Sequence, residues 1–208
     1  LARTFPNLPV VDPLAGLQLL PWEGPGAAAL DDRDHGHGGD RDHGHDHGDF
    51  DPHAWLDPVL ARGAARNLAA ALARLDPAHA AEFEARQGDL DAELAALERE
   101  LAAQLAPWRG RTFYVFHPAF GYFAARFGLR QAAIQSGGRE PTPRQLAAVI
   151  DAARRDGARA LFVQPQYSPR SARKVADALG AELIPLDDLA RDYPDNLRRL
   201  AAALAAGF

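Results

Sequence analysis

The chain has 208 residues, no cysteine and a net charge of −5, with a quarter of its residues charged. The absence of cysteine excludes thiolate metal sites, disulfides and cysteine nucleophiles, and the acidic balance argues against a nucleic-acid partner. Hydrophobic residues make up 47%, enough to bury a core, but no run of eighteen apolar residues exists to span a bilayer. The opening, LARTFPNLPVVDP, has no leader pattern and reads as though it enters mid-protein. Within residues 1–30, LPVVDPL and LQLLP predict a strand and a turn between prolines and glycines.

Residues 31–51 are the most informative stretch. His35, His37, His43, His45 and His47, five of the eight histidines, alternate there with glycine and aspartate. Imidazole is the commonest side-chain ligand for borderline transition metals, and zinc is the first candidate. With almost no apolar side chains the tract cannot repay its ordering entropy, so a mobile, weakly metal-binding loop is expected. DPHAWLDP follows directly. His53 is held there between Pro52 and Pro58, with Trp55 and Leu56 as apolar anchors, as a ligand requires.

After Pro58 the helical period takes over. Leu60, Ala64, Leu68, Ala71, Leu72 and Leu75 share one face, and Asp76-Pro77 ends the helix. From Pro77 to Ala106 a second helix places Phe83, Leu90, Leu94, Leu97, Leu101 and Leu105 at three-, four- and seven-residue spacings. Such a helix would run roughly 45 Å. It suits a packed core element or a rigid strut. His79, in its first turn, is expected to be solvated and receives no role.

From Arg111 short strands and helices alternate. TFYVF is a strand, Pro118 to Phe127 a helix closed by Gly128, and AAIQ a weaker strand. Thr142-Pro143 caps a helix to Asp156, ALFV is a strand, Ser168-Pro169 caps a helix ending at Gly180, ELIPL is a strand, and Pro194 opens the last helix. The alternation implies an α/β fold with a mostly parallel sheet. Parallel sheets bind ligands beyond the carboxyl ends of their strands, and His117, Gln164 and Asp187 each stand at such an end. No HExxH, GxSxG, P-loop or GxGxxG is present.

DPHAWLDP after a His-rich loop, FHPAFGYFAARFGL, and REPTPRQLAAVIDAARRDGARALFVQPQYSPRSARKVADALGAELIPLDDL, in that order, resemble the metal-binding solute-binding proteins of zinc ABC importers. The likeness runs from Val10 to about Leu204. It implies two parallel-sheet α/β lobes joined by a long rigid helix. That would make residues 1–76 a partial N-terminal lobe, 77–107 the interlobe helix and 108–208 the C-terminal lobe. It also implies that His53, His117 and Asp187 ligate one Zn²⁺, with the five tract histidines as an auxiliary low-affinity loop. The family's first histidine ligand and the opening of its first lobe have no counterpart here, and Gln164 stands where the family usually has glutamate. The expected partner is the membrane permease of an ABC importer, and the expected setting is periplasmic or extracytoplasmic, with a monomeric, non-enzymatic carrier. Three alternatives stay open: a manganese or iron carrier of the same class, a His-rich zinc buffer or metallochaperone, and a zinc hydrolase using Asp188 or Glu140 as base.

Overall fold

A computed structural model describes residues 9–21, 50–135, 142–167 and 169–208. The five tract histidines, Glu140 and Ser168 lie outside the described residues. The chain forms two compact units, one of residues 1–18 and 57–100, the other of residues 19–56 and 101–208.

In the first unit, Asp57 caps helix α1 (Pro58–Leu75) by accepting the Val59 N–H at 2.8 Å, with Pro58 in the first turn. Asp76 ends α1, and Pro77–His79 forms a 3₁₀ turn before helix α2 (Ala80–Leu105), so the expected single helix from Pro77 begins three residues later. Arg62 of α1 clasps Asp91 of α2 with two hydrogen bonds, Nε to Oδ1 at 3.0 Å and Nη2 to Oδ2 at 2.7 Å. Glycine at position 63 admits Leu17, whose Cδ2 would stand 2.7 Å from any Cβ there. Asn67 Nδ2 fastens the same segment through the Pro13 and Ala15 carbonyls. The expected buried face of α1 is only half realised. Leu60 and Ala71 are buried, but Leu68, Leu72 and Leu75 are exposed, because no described residue covers that end of the stripe.

Among the described residues, the second unit is built on a four-stranded, all-parallel sheet in the order β2-β1-β3-β4. Its strands are β1 (Thr112–Val115), β2 (Arg130–Ala133), β3 (Ala160–Val163) and β4 (Glu182–Pro185). Helices α3 (Gly121–Phe127), α4 (Pro143–Arg155) and α5 (Pro169–Leu179) connect them, and α6 (Tyr193–Gly207) follows β4. Period-two alternation sorts the side chains. Tyr114, Phe116, Leu161 and Val163 join Val149, Ala153, Val175 and Ala176 in one buried cluster. Phe113, Val115 and Phe162 are buried toward the other face, where Gly207 of α6 closes on Phe162: an added Cβ would stand 2.9 Å from its ring.

Two local departures from expectation have physical causes. Helix α3 starts at Gly121 rather than Pro118, because a tight turn, Ala119 N–H to the His117 carbonyl at 2.9 Å, occupies the intervening residues. The strand expected in residues 1–30 is absent among the described residues; only an isolated antiparallel bridge pairs Pro21 with Phe50. The capping box at Thr142 and Gln145 forms as its sequence spacing requires.

Candidate metal centre

Strands β1, β3 and β4 end on one rim of the sheet, so His117, Gln164 and Asp187 emerge together, as in other open parallel sheets. His53 reaches the same unit from the turn that precedes a 3₁₀ segment (Ala54–Leu56). Its ring is buried, and its centroid lies 5.5 Å from that of His117, edge to face at 76°.

Each ring is held on its Nδ1 side. His53 Nδ1 sits 2.7 Å from Asp51 Oδ1, and His117 Nδ1 sits 3.3 Å from Gln135 Oε1. The Asp51 carboxylate only accepts, so a neutral His53 ring carries its proton on Nδ1 and its lone pair on Nε2; the Gln135 amide, which can turn to present either atom, does not fix the His117 tautomer. Two imidazoles bound through Nε2 to one tetrahedral zinc, at about 2.0–2.1 Å each, would have ring centres roughly 5 Å apart. The observed 5.5 Å is close to that spacing and lies equally within the range of edge-to-face ring packing.

The walls fix these rings further. Tyr167 stacks on His117 at 4.8 Å and 25°, and Trp55 packs against His53 at 5.4 Å. Trp55 Nε1 donates to the Asp188 carbonyl at 2.9 Å, while Tyr193 Oη donates to the Trp55 carbonyl at 2.7 Å. The His53 turn is thereby tied to the loop between β4 and α6. Gln164 is buried and donates through Nε2 to the His117 carbonyl at 3.2 Å; its Oε1 is buried with no hydrogen-bond partner among the described residues.

The carboxylates behave differently from expectation. Asp187 Oδ1 accepts from Gln166 Nε2 at 2.9 Å and from the Leu189 N–H at 3.0 Å, and its carbonyl accepts from Asn196 Nδ2 at 2.6 Å. Among the described residues, no group of three or more His, Asp or Glu side chains is arranged to hold a metal ion. The two histidines are therefore brought together, and Asp187 is not gathered with them. Burial pushes the Asp188 carboxyl upward, opposed by its own backbone hydrogen bond and, when that ring is protonated, by His53. Burial, and then the Asp188 charge, raise the Tyr167 phenol in turn. His79 is exposed and bonds only locally, Nδ1 to Asp76 Oδ2 at 2.7 Å.

Sequence reasoning missed Asp51, Gln135 and Tyr167. Asp51 was readable as the end of the acidic tract; the signal that sets it apart is its place two residues before His53, where an aspartate can bond forward to its own backbone.

The family model for the periplasmic zinc-uptake complex component A matches residues 15–207. The high-affinity zinc uptake system protein ZnuA of Brucella abortus (strain 2308) is 36% identical over 169 residues, 76% of this chain and 50% of the relative. ZnuA of Bacillus subtilis (strain 168) is 29% identical over 152 residues, 71% of this chain and 48% of the relative. The chain thus spans about half the length of these curated relatives. A crystal structure of ZnuA superposes with a TM-score of 0.83 at 30% identity, covering 99% of this chain and 72% of the other. A ZnuA deletion mutant with zinc bound superposes equally well, at 0.83 and 32% identity, covering 99% of this chain and 71% of the other. By the extent of that match the chain belongs to the family of periplasmic zinc-uptake component A proteins.

Proposed function

We propose that this chain captures Zn²⁺ as cargo outside the cytoplasm and delivers it to the permease of an ABC importer, as a binding protein rather than an enzyme. The observation that carries the reading is the 5.5 Å approach of His53 to His117, each held on its Nδ1 side. In this proposal His53 and His117 supply two imidazoles and Asp187 supplies the carboxylate, moving from its present bonds to do so. Paired imidazoles favour zinc over the oxygen-preferring manganese. Remaining coordination falls to water, to the His-rich tract or to a ligand outside these 208 residues.

The finer architecture belongs to the same proposal: a partial N-terminal lobe, an interlobe segment over residues 77–107 built on α2, and a C-terminal lobe, working as a monomer in the periplasm. In the same proposal His35, His37, His43, His45 and His47 bind further ions weakly. A ZnuA relative carries zinc in a deletion variant, which supports separating a tight site from dispensable segments. The test is a competitive zinc titration of the purified chain beside a variant lacking residues 35–47. One tight ion in both, with fewer weak ions in the variant, supports capture at the histidine pair. Loss of the tight ion with the tract would make the chain a His-rich buffer instead.

A further inference from the structure

Asp51 is a buried carboxylate with an unusually complete seat. Its backbone N–H donates to the Leu20 carbonyl at 2.9 Å, and its own carbonyl accepts from Tyr122 Oη at 2.8 Å. The same Tyr122 oxygen accepts the Leu20 N–H at 3.0 Å, so one buried phenol holds both sides of the Pro21–Phe50 bridge. Oδ1 then takes two hydrogens from one residue: the His53 backbone N–H at 2.9 Å and the Nδ1 side of its ring at 2.7 Å. Oδ2 lies against Gly121, where an added Cβ would stand only 3.0 Å away. Glycine at the start of α3 is what leaves room for the carboxylate.

We propose that Asp51 is a positioning residue for metal capture, its carboxylate locking the His53 ring in the Nδ1–H tautomer so that Nε2 faces the ion. The proposal rests on the reading that His53 binds zinc. A carboxylate accepts hydrogen bonds and donates none, so a neutral imidazole 2.7 Å from it must carry its proton on Nδ1. Without that partner the ring can exchange its tautomer and turn about χ2, and the lone pair no longer has a fixed direction. Partners of this kind orient metal-binding imidazoles and raise their donor strength. Although Asp51 closes the acidic tract in sequence, its role is thus separate from weak ion collection: it is buried, it touches a candidate ligand, and its charge is already engaged.

Two measurements test this. In the metal-free protein, long-range ¹H–¹⁵N imidazole spectra should show His53 as the Nδ1–H form, and a His53 ring in the Nε2–H form overturns the proposal. In zinc competition titrations, Asp51→Ala should bind roughly 10–100-fold more weakly, with most of the loss recovered in Asp51→Asn, whose amide oxygen can still accept from Nδ1. Asp51→Ala with wild-type affinity, beside a His53→Ala variant that has lost it, also overturns the positioning role. If His53→Ala itself binds zinc as the wild type does, the metal reading fails, and the tautomer spectrum still decides what Asp51 does. Should Asp51→Ala not fold, the wild-type spectrum and the Asp51→Asn titration carry the test.

Discussion

His53 and His117 face each other edge to face, 5.5 Å between ring centres, although 64 positions separate them in the chain. One comes from a proline-bounded turn and the other from the end of β1. If the two rings donate to one ion, as proposed, they act jointly, and losing either should forfeit most of the affinity. His53→Ala and His117→Ala are each expected to weaken zinc on the order of 100-fold, and the double variant little further. Equilibrium dialysis against a zinc buffer measures this; two single variants with undiminished affinity would remove the pair from the site.

Asp187 and Asp188 are adjacent but differently placed. Asp187 Oδ1 is engaged by Gln166 and the Leu189 N–H, whereas the Asp188 carboxyl is pushed up by burial. If Asp187 supplies the acid ligand, Asp187→Asn should weaken zinc by about tenfold, a little over 1 kcal/mol, and more than Asp188→Asn does. Titrating both single variants under identical conditions reads the order. The reverse order would transfer the ligand role to Asp188.

The sheet was legible because its strands are short, apolar and punctuated. ALFV fixed β3 over its full length, and Gly128, Gly157 and Gly180 each closed a helix with positive φ, as only glycine does without strain. What sequence could not reveal depends on partners distant in the chain. Periodicity put Leu68, Leu72 and Leu75 on a common face, but whether that face is covered is a matter of tertiary packing. Strand ends placed Asp187 on the same rim as His117 and Gln164, yet the direction of its carboxylate is set by Gln166 and the Leu189 N–H. Asp51 was obscured by the composition of the tract: its place two residues before His53 is a local signal, but its burial follows only once Tyr122 and Gly121 are packed around it.

The Arg62–Asp91 clasp predicts an acid-sensitive component of stability in the first unit. The Arg62 hydrogen bonds hold the Asp91 carboxyl below its ordinary range. With the folded value depressed, the stabilisation is fully present above the unfolded value of about 3.9 and fades as pH falls through the folded one. Asp91→Asn should therefore be less stable than wild type near neutral pH, and the two should converge in strong acid. Urea midpoints at about pH 7 and about pH 2.5 provide the comparison; a gap that stays constant between them would show that the ion pair is energetically idle.

Leu161 sits at the centre of β3, fully buried within the cluster that joins the sheet to α4 and α5. Truncation to alanine there removes buried methyls and leaves a cavity that a parallel sheet cannot close, since register with β1 and β4 fixes the backbone on both sides. Leu161→Ala should cost about 2–5 kcal/mol. Leu189, in the same unit but 58% exposed, provides the control; its alanine variant should stay within about 0.5 kcal/mol of wild type. Because Leu161 lies away from the strand ends that carry His117 and Asp187, the folded fraction of Leu161→Ala should still bind zinc with wild-type affinity. Chemical denaturation followed by zinc titration below the transition reads both quantities. A weakened site in fully folded Leu161→Ala would mean that core packing, rather than the rim residues alone, sets the geometry of the histidine pair.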